Sequence, residues 1–308
     1  MRFLRSKTLP DRVHRCGWNW VLDHMIRHLG AKFEDLIMDD YIEATMFWPN
    51  TPHCNMSLFE KRFGEPWVGF LHHPEAVPYP YPCWQSMAAI FADMSFRASL
   101  GKCRALFTLC KHNAVCVREL LTFHDIKKMP VFSLLHPTSF DVPQWTRLAD
   151  DWSLLGVGCW MKDLGALWRF DHPRKVCLNG QGDEKAWQYY LDTTERGFPV
   201  KRPGYLDDAE YDHLLSRNLA FTHLLGNGAN NTVLDCVARG TPLLVNRMPC
   251  TIEYLGADYP MLWEDLRDAG YKMSLAHEAT HHLRRPELRA RFTIEKFLDD
   301  LTTALSSL

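Results

Sequence analysis

Long apolar runs are missing from this 308-residue chain. None approaches the ~18 consecutive apolar residues that a membrane-crossing helix requires. The opening MRFLRSKTLPDRVHR is basic, but no apolar segment follows it, so a secretory signal is not expected. An excess of one charge is lacking too: 35 Lys and Arg face 37 Asp and Glu, for a formal net charge of −2. No face of such a chain is obliged to meet a polyanion, which argues against nucleic acid or an anionic membrane as partner. A local basic pocket for a diphosphate stays compatible with that balance. Ten cysteines are present, yet none forms a C-x-x-C pair. Most sit in apolar runs, such as Cys177 in KVCLNG and Cys236 in VLDCVA. They read as buried thiols in a reducing, cytoplasmic compartment and not as a disulfide framework. Repeats and low-complexity segments are absent.

What is present suits two α/β domains of roughly 150 residues each. Hydrophobic residues make up 46% and charged residues 23%, enough to bury a core. In the first half, GWNWVLDHMIRHLG reads as a helix with a glycine stop. FEDLIMDDYIEATMF reads as a strand running into a loop or helix. PWVGFLHH is a short apolar strand, and the proline-rich VPYPYP after it is a loop. QSMAAIFADMSFRASLG (helix), CRALFTLC (strand), HNAVCVRELLTF (helix) and PVFSLLHP (strand) follow. Such alternation implies a parallel sheet. HPTSFDVPQW, with two prolines, is the expected linker, giving domains at 1–142 and 143–308. The second half alternates again: WSLLGVGCWM, RKVCLNG and VKRPGY as strands, DDAEYDHLLSRN as a helix, LAFTHLL as a strand, NNTVLDCVAR as a helix, and PLLVNR as a strand. From Pro286 onward the tail is helical and amphipathic.

The stretch FTHLLGNGANNTVLDCVARGTPLLVNRMPCTIEYLGADYP carries the most chemistry. A strand ends near Leu225, and Gly226 and Gly228 permit a sharp turn and close approach to a ligand. Asn227 or Asn230 can cap the next helix. Its free N–H groups form an anion site. Asn231 and Asp235 share one helix face, while Val233, Cys236 and Val237 take the buried side. Amides that hold a diphosphate, with Asp235 accepting from ribose hydroxyls, would suit a nucleotide. A capped turn with Asp235 merely solvated fits the same pattern.

The segment ANNTVLDCVARGTPLLVNRMPCTIEYLGADYP resembles the donor-binding segment of GT-B glycosyltransferases, in a bacterial and viral subset with an EYLG-x-x-YP run. The resemblance implies two Rossmann-like domains facing across a cleft. It implies a nucleoside-diphosphate sugar, UDP- or GDP-linked, as donor substrate, with no essential cofactor or metal. Asp235 takes the ribose-holding place; Asn227 stands where many members have a glutamate. Asn230, Asn231 and Thr232 match the helix start facing the diphosphate. Glu253 matches a position read as structural. LGVGCWMKDLGALWRF resembles the first strand and loop of the same domain. There Gly158 would approach the donor and Lys162 would reach the phosphates, with Arg169 a weaker second candidate. Tyr205 lies where the base pocket is often lined. The resemblance covers nearly all of residues 151–308.

In the first half, GFLHHPEAVPYP resembles an F-x-H-x-P strand end of that subset, placing His72 toward the cleft, with His73 and Glu75 beside it. A histidine there has a usable pKa for proton transfer to or from the acceptor hydroxyl. Asp40 and Glu43, after another expected strand, are the carboxylate candidates for that base. The opening strand usual in this domain is not evident before GWNWV, so the domain is expected to be shortened. The last helix is expected to pack back on it. The implied activity is transfer of a sugar to a glycan or other hydroxyl acceptor. Rivals are a silent nucleotide-sugar or glycan binder and a GT-B-fold epimerase. More remote is a zinc protease reading of His277-Glu278-x-x-His281. That motif is the weakest of these, since 15 histidines make chance matches common.

Overall fold

The computed structural model describes residues 1–5, 17–47, 60, 62, 64–126, 129–178, 184–195, 199–204 and 206–308. The run WVGFL is apolar throughout, as a strand covered on both faces should be. It forms β3 (Trp67–Leu71), the middle strand of a five-stranded parallel sheet. Its neighbours are β1 (Arg2–Phe3) and β2 (Ile37–Asp39) on one side, and β4 (Cys103–Thr108) and β5 (Val131–Ser133) on the other, in chain order. Side chains alternate between its faces. Met38, Val68, Phe70 and Phe107 point to one core, and Ile37, Trp67, Leu71 and Leu106 to the other.

The first of these cores is closed by α1 (Trp18–Leu29), whose Val21, Leu22, Met25 and Leu29 are buried. The second is closed by α2 (Ile42–Phe47), α3 (Met87–Ala92), α4 (Met94–Ser99) and α5 (Lys111–Phe123). The single helix expected over residues 85–101 is two helices. Asp93 adopts an extended conformation and its side chain accepts from the Phe96 amide, so it caps a new start. An opening strand does precede GWNWV. Two residues of β1 are too short to show a period, so only the pairing with β2 reveals them.

The second sheet has six parallel strands: β6 (Leu154–Val157), β7 (Lys175–Leu178), β8 (Val200–Lys201), β9 (Leu219–Thr222), β10 (Leu243–Asn246) and β11 (Leu262–Trp263). Their order is β11-β10-β9-β6-β7-β8. Helices α6 (Leu164–Arg169), α7 (Glu184–Thr193), α8 (Asp208–Leu215), α9 (Asn231–Arg239), α10 (Pro249–Leu255), α11 (Leu266–Lys272) and α12 (Ala276–Leu283) cover this sheet. After the short α13 (Pro286–Arg289), α14 (Ile294–Ser306) crosses to the first half. Its Phe297, Leu298, Leu301 and Leu305 form one helical stripe against Trp18, Val21 and Phe70 of the first core.

Candidate functional site

The second sheet reverses its strand order between β6 and β9. At such a switch point the connecting chains leave in opposite directions, and the carboxyl ends of the strands border a natural ligand crevice. Directly after β6, Gly158 sits at φ +70°, a conformation side chains rarely adopt. A Cβ there would also meet Lys162 Nζ at 2.8 Å. Lys162 returns beneath this turn. Its ammonium donates to the Val157 carbonyl and, at 2.6 Å, to Thr232 Oγ1 in the first turn of α9. The side chain is buried, and burial pushes its pKa down to about 8. Asn230 caps α9: its Oδ1 accepts from the Thr232 amide at 3.0 Å. Asn231 is exposed at the helix start. Gly158, Lys162, Asn230 and Thr232 are therefore brought together, with a cation lying at the amino end of a helix.

Asn227 and Asp235 go elsewhere. Asn227 Oδ1 accepts from the Cys250 amide at 3.1 Å, capping the neighbouring α10. Asp235 is 2% exposed, not part of a solvent-facing stripe. Its oxygens accept from Tyr211 Oη at 2.9 Å and Arg239 Nη1 at 2.7 Å. Arg239 also binds Asp212 at 2.5 Å. Burial alone would lower the Arg239 guanidinium; the two carboxylates outweigh it and hold its pKa above the usual range. The sequence reading missed this pair; its i, i+4 spacing is the one signal that could have found it. Tyr205 lies outside the described residues. Arg169 pairs with Asp163 at 2.6 Å, near the surface.

In the first half, three expected residues meet at the ends of β2 and β3. Asp40 is fully buried, bound by Arg5 at 2.5 Å and by the Trp18 indole at 2.9 Å. Glu43 is also fully buried. Its Oε1 accepts from the amides of His72 and His73, both at 2.7 Å. Burial raises the Glu43 pKa, against the opposing pull of His73 and those amides. Both carboxylates thus brace the strand end. His72 is placed differently. Its Nε2 lies 3.0 Å from the Asp40 carbonyl, which can only accept, so Nε2 carries the proton and Nδ1 keeps its lone pair. Trp18 and Tyr41 hold the ring at centroid distances of 4.3 and 4.2 Å. Burial lowers its pKa well below 6.5, so the imidazole is neutral at neutral pH. His73 has both nitrogens engaged, Nδ1 with the Gln85 carbonyl and Nε2 with Tyr41 Oη. Glu75 is exposed.

The two halves touch at these strand ends. A Cβ on Gly226 would lie 2.9 Å from Pro74, and one on Gly228 would lie 3.4 Å from the His72 carbonyl. Tyr81 Oη reaches the Cys159 and Lys162 carbonyls at 2.5 and 2.7 Å. From α10, Glu253 accepts from the Lys111 amide at 2.7 Å, so its carboxylate caps a helix of the first half. Tyr254 Oη donates to the Leu109 carbonyl and accepts from the His136 amide. Tyr81 carried no spacing signal, and Tyr254 stood out only as part of the EYLG run; the tertiary fold reveals their contacts between the halves. The histidines of H-E-x-x-H are exposed on α12, where His277 packs on Trp145. Among the described residues no cluster of three His, Cys, Asp or Glu is arranged to hold a metal.

Two parallel, helix-covered sheets with their carboxyl ends turned toward one junction define the GT-B fold. The chain is similar in structure to the GtfA/B complex (TM-score 0.54, 11% identity, 97% of this chain and 62% of that one). It is similar to TarM (TM-score 0.58, 12% identity, 92% and 57%). It is also similar to HepE of Anabaena in complex with UDP (TM-score 0.57, 11% identity, 89% and 79%). The chain thus spans about three-fifths of the length of the first two. No family model matches the sequence, and a search of curated proteins finds no match.

Proposed function

We propose that the chain is a glycosyltransferase that takes a sugar from a nucleoside diphosphate and delivers it to a glycan or other hydroxyl acceptor. The observation that carries this is the meeting, at one junction, of a lone-pair-bearing His72 and the Gly226–Thr232 loop and helix start. The fold of HepE, whose structure holds UDP, supports UDP as the first donor nucleotide to try. In this reading the diphosphate approaches the α9 start from the exposed Asn231 side and draws the Lys162 ammonium from Thr232 onto its oxygens. The acceptor hydroxyl loses its proton to His72 Nδ1 as its oxygen bonds the anomeric carbon, and the nucleoside diphosphate leaves with the electron pair of the broken bond. We assign the acceptor to residues 1–142 and the donor to 143–308. No helix among the described residues is long and apolar enough to cross a membrane.

A silent nucleotide-sugar binder is the second reading, favoured by two observations. Asn227 stands where a carboxylate is usual and caps α10, and Asp235 is engaged by Tyr211 and Arg239. Release of free UDP or GDP from a panel of nucleotide sugars, with and without glycan acceptors, separates the two. Acceptor-dependent release supports the transferase. Binding without release supports the silent protein, and neither binding nor release sinks both.

A further inference from the structure

The His72–His73 strand end is gripped from two sides, and each grip leaves one oxygen over. Glu43 Oε1 takes both amides, while Glu43 Oε2 is buried without a partner among the described residues. On the other side, Asn113 Nδ2 lies 3.4 Å from the His73 carbonyl. That carbonyl can only accept, so the orientation of the amide is fixed and Asn113 Oδ1 is the atom without a partner. Asn113 is 1% exposed and Glu43 fully buried. A buried oxygen with no donor is a standing cost to the fold. An apolar side chain at position 113 would avoid it. Asn113 also faces the loop after β9: a Cβ on Gly228 would lie 3.8 Å from its Nδ2. Gly228 thus packs against both the Asn113 side chain and the His72 main-chain carbonyl.

We propose that Asn113 determines sugar specificity: its Oδ1, on the side chain that packs beside Gly228 at the junction, accepts a hydrogen bond from a ring hydroxyl of the sugar carried by the nucleotide. The inference rests on the nucleotide-sugar reading above. The atom is an acceptor only, so its partner must bring a hydrogen. A diphosphate ionised at neutral pH brings none; a sugar hydroxyl does. A site built around such a contact rejects an analogue that lacks the hydroxyl, because the protein oxygen is then buried unpaired.

Calorimetry on the full chain tests this with UDP and GDP alone, then with UDP-glucose, UDP-galactose, GDP-mannose and analogues of the best binder carrying hydrogen in place of one ring hydroxyl. One deoxy analogue should bind the parent ~10-fold more weakly or worse. Asn113→Ala should bind the free nucleotide like the parent and no longer distinguish that analogue from the full sugar. Asn113→Ser, which keeps an accepting oxygen, should recover part of the discrimination. It decides the matter if the alanine variant does not fold. Unaltered discrimination in Asn113→Ala overturns the proposal. So does an equal loss for free nucleotide and nucleotide sugar, which marks a role in folding alone. A parent that binds neither UDP nor GDP overturns the nucleotide reading itself, and this inference with it.

Discussion

His72 acquires its form from its surroundings. A backbone carbonyl fixes its tautomer, two aromatic rings fix its orientation, and burial keeps it neutral. His72→Asn should therefore lower kcat by ~10²–10⁴-fold, the usual worth of a general base. UDP affinity should be nearly unchanged, because the side chain lies across the junction from the α9 start. The acid limb of kcat/KM should lie well below the ordinary imidazole range, since burial lowers the His72 pKa. Steady-state kinetics across pH checks both. Lys162 gives a second pH signature. It is charged below about 8 and neutral above, so UDP should bind more weakly as pH rises through that value. The same group acts on stability. Between about 8 and its ordinary 10.5 the unfolded chain holds the extra proton, so stability from this residue increases with pH across that window. Lys162→Met should flatten both profiles, as read by calorimetry and by urea titration.

At the scale of elements, α10 is the piece that ties the halves together. Its first turn is capped by Asn227, Glu253 caps α5, and the Tyr254 hydroxyl sits between the Leu109 carbonyl and the His136 amide. Tyr254→Phe leaves both of those backbone groups buried without that partner. It should cost about 1–3 kcal/mol, measured by urea unfolding, while secondary structure by circular dichroism stays the same. Helix α9 shows why its role was hard to read. Its polar positions 231 and 235 do share a face, but α8 brings Tyr211 onto the second of them and Asp212 onto that residue's partner Arg239, and leaves the first exposed. Periodicity finds a face; it does not say which neighbour will cover it.

For the whole molecule, the first core is unfinished without the far end of the chain. Phe297, Leu298, Leu301, Ala304 and Leu305 of α14 complete it. Each large apolar side chain is worth about 1.5–3 kcal/mol on burial, so the set rivals the total stability of a domain, ~5–15 kcal/mol. Deleting residues 293–308 should make the first half protease-sensitive while fragments of the second half remain protected. Limited proteolysis with mass spectrometry reads this directly. Equal resistance in both halves would contradict the role given to α14.

Most strands and long helices were legible because burial on one or both faces leaves a pattern of period 2 or 3.6 in the chain. Cysteines in apolar runs and the asparagine cap at residue 230 were legible for the same local reason. Helices α6, α7 and α11 were not assigned from the sequence, since short segments in polar surroundings show no clear stripe. The split at Asp93 turned on a single side chain competing for an amide. At the site, local pattern in the sequence nominated Asn230 as a cap, and the resemblance to GT-B glycosyltransferases nominated His72, Lys162 and Thr232. Only the tertiary structure decided that Asp40 and Glu43 brace the strand end, that Asp235 is held by Arg239 and Tyr211, and that Asn113 stands at the junction. Partners distant in sequence set those roles, and the charge and hydrogen bonding of a buried group depend on whatever the fold places against it.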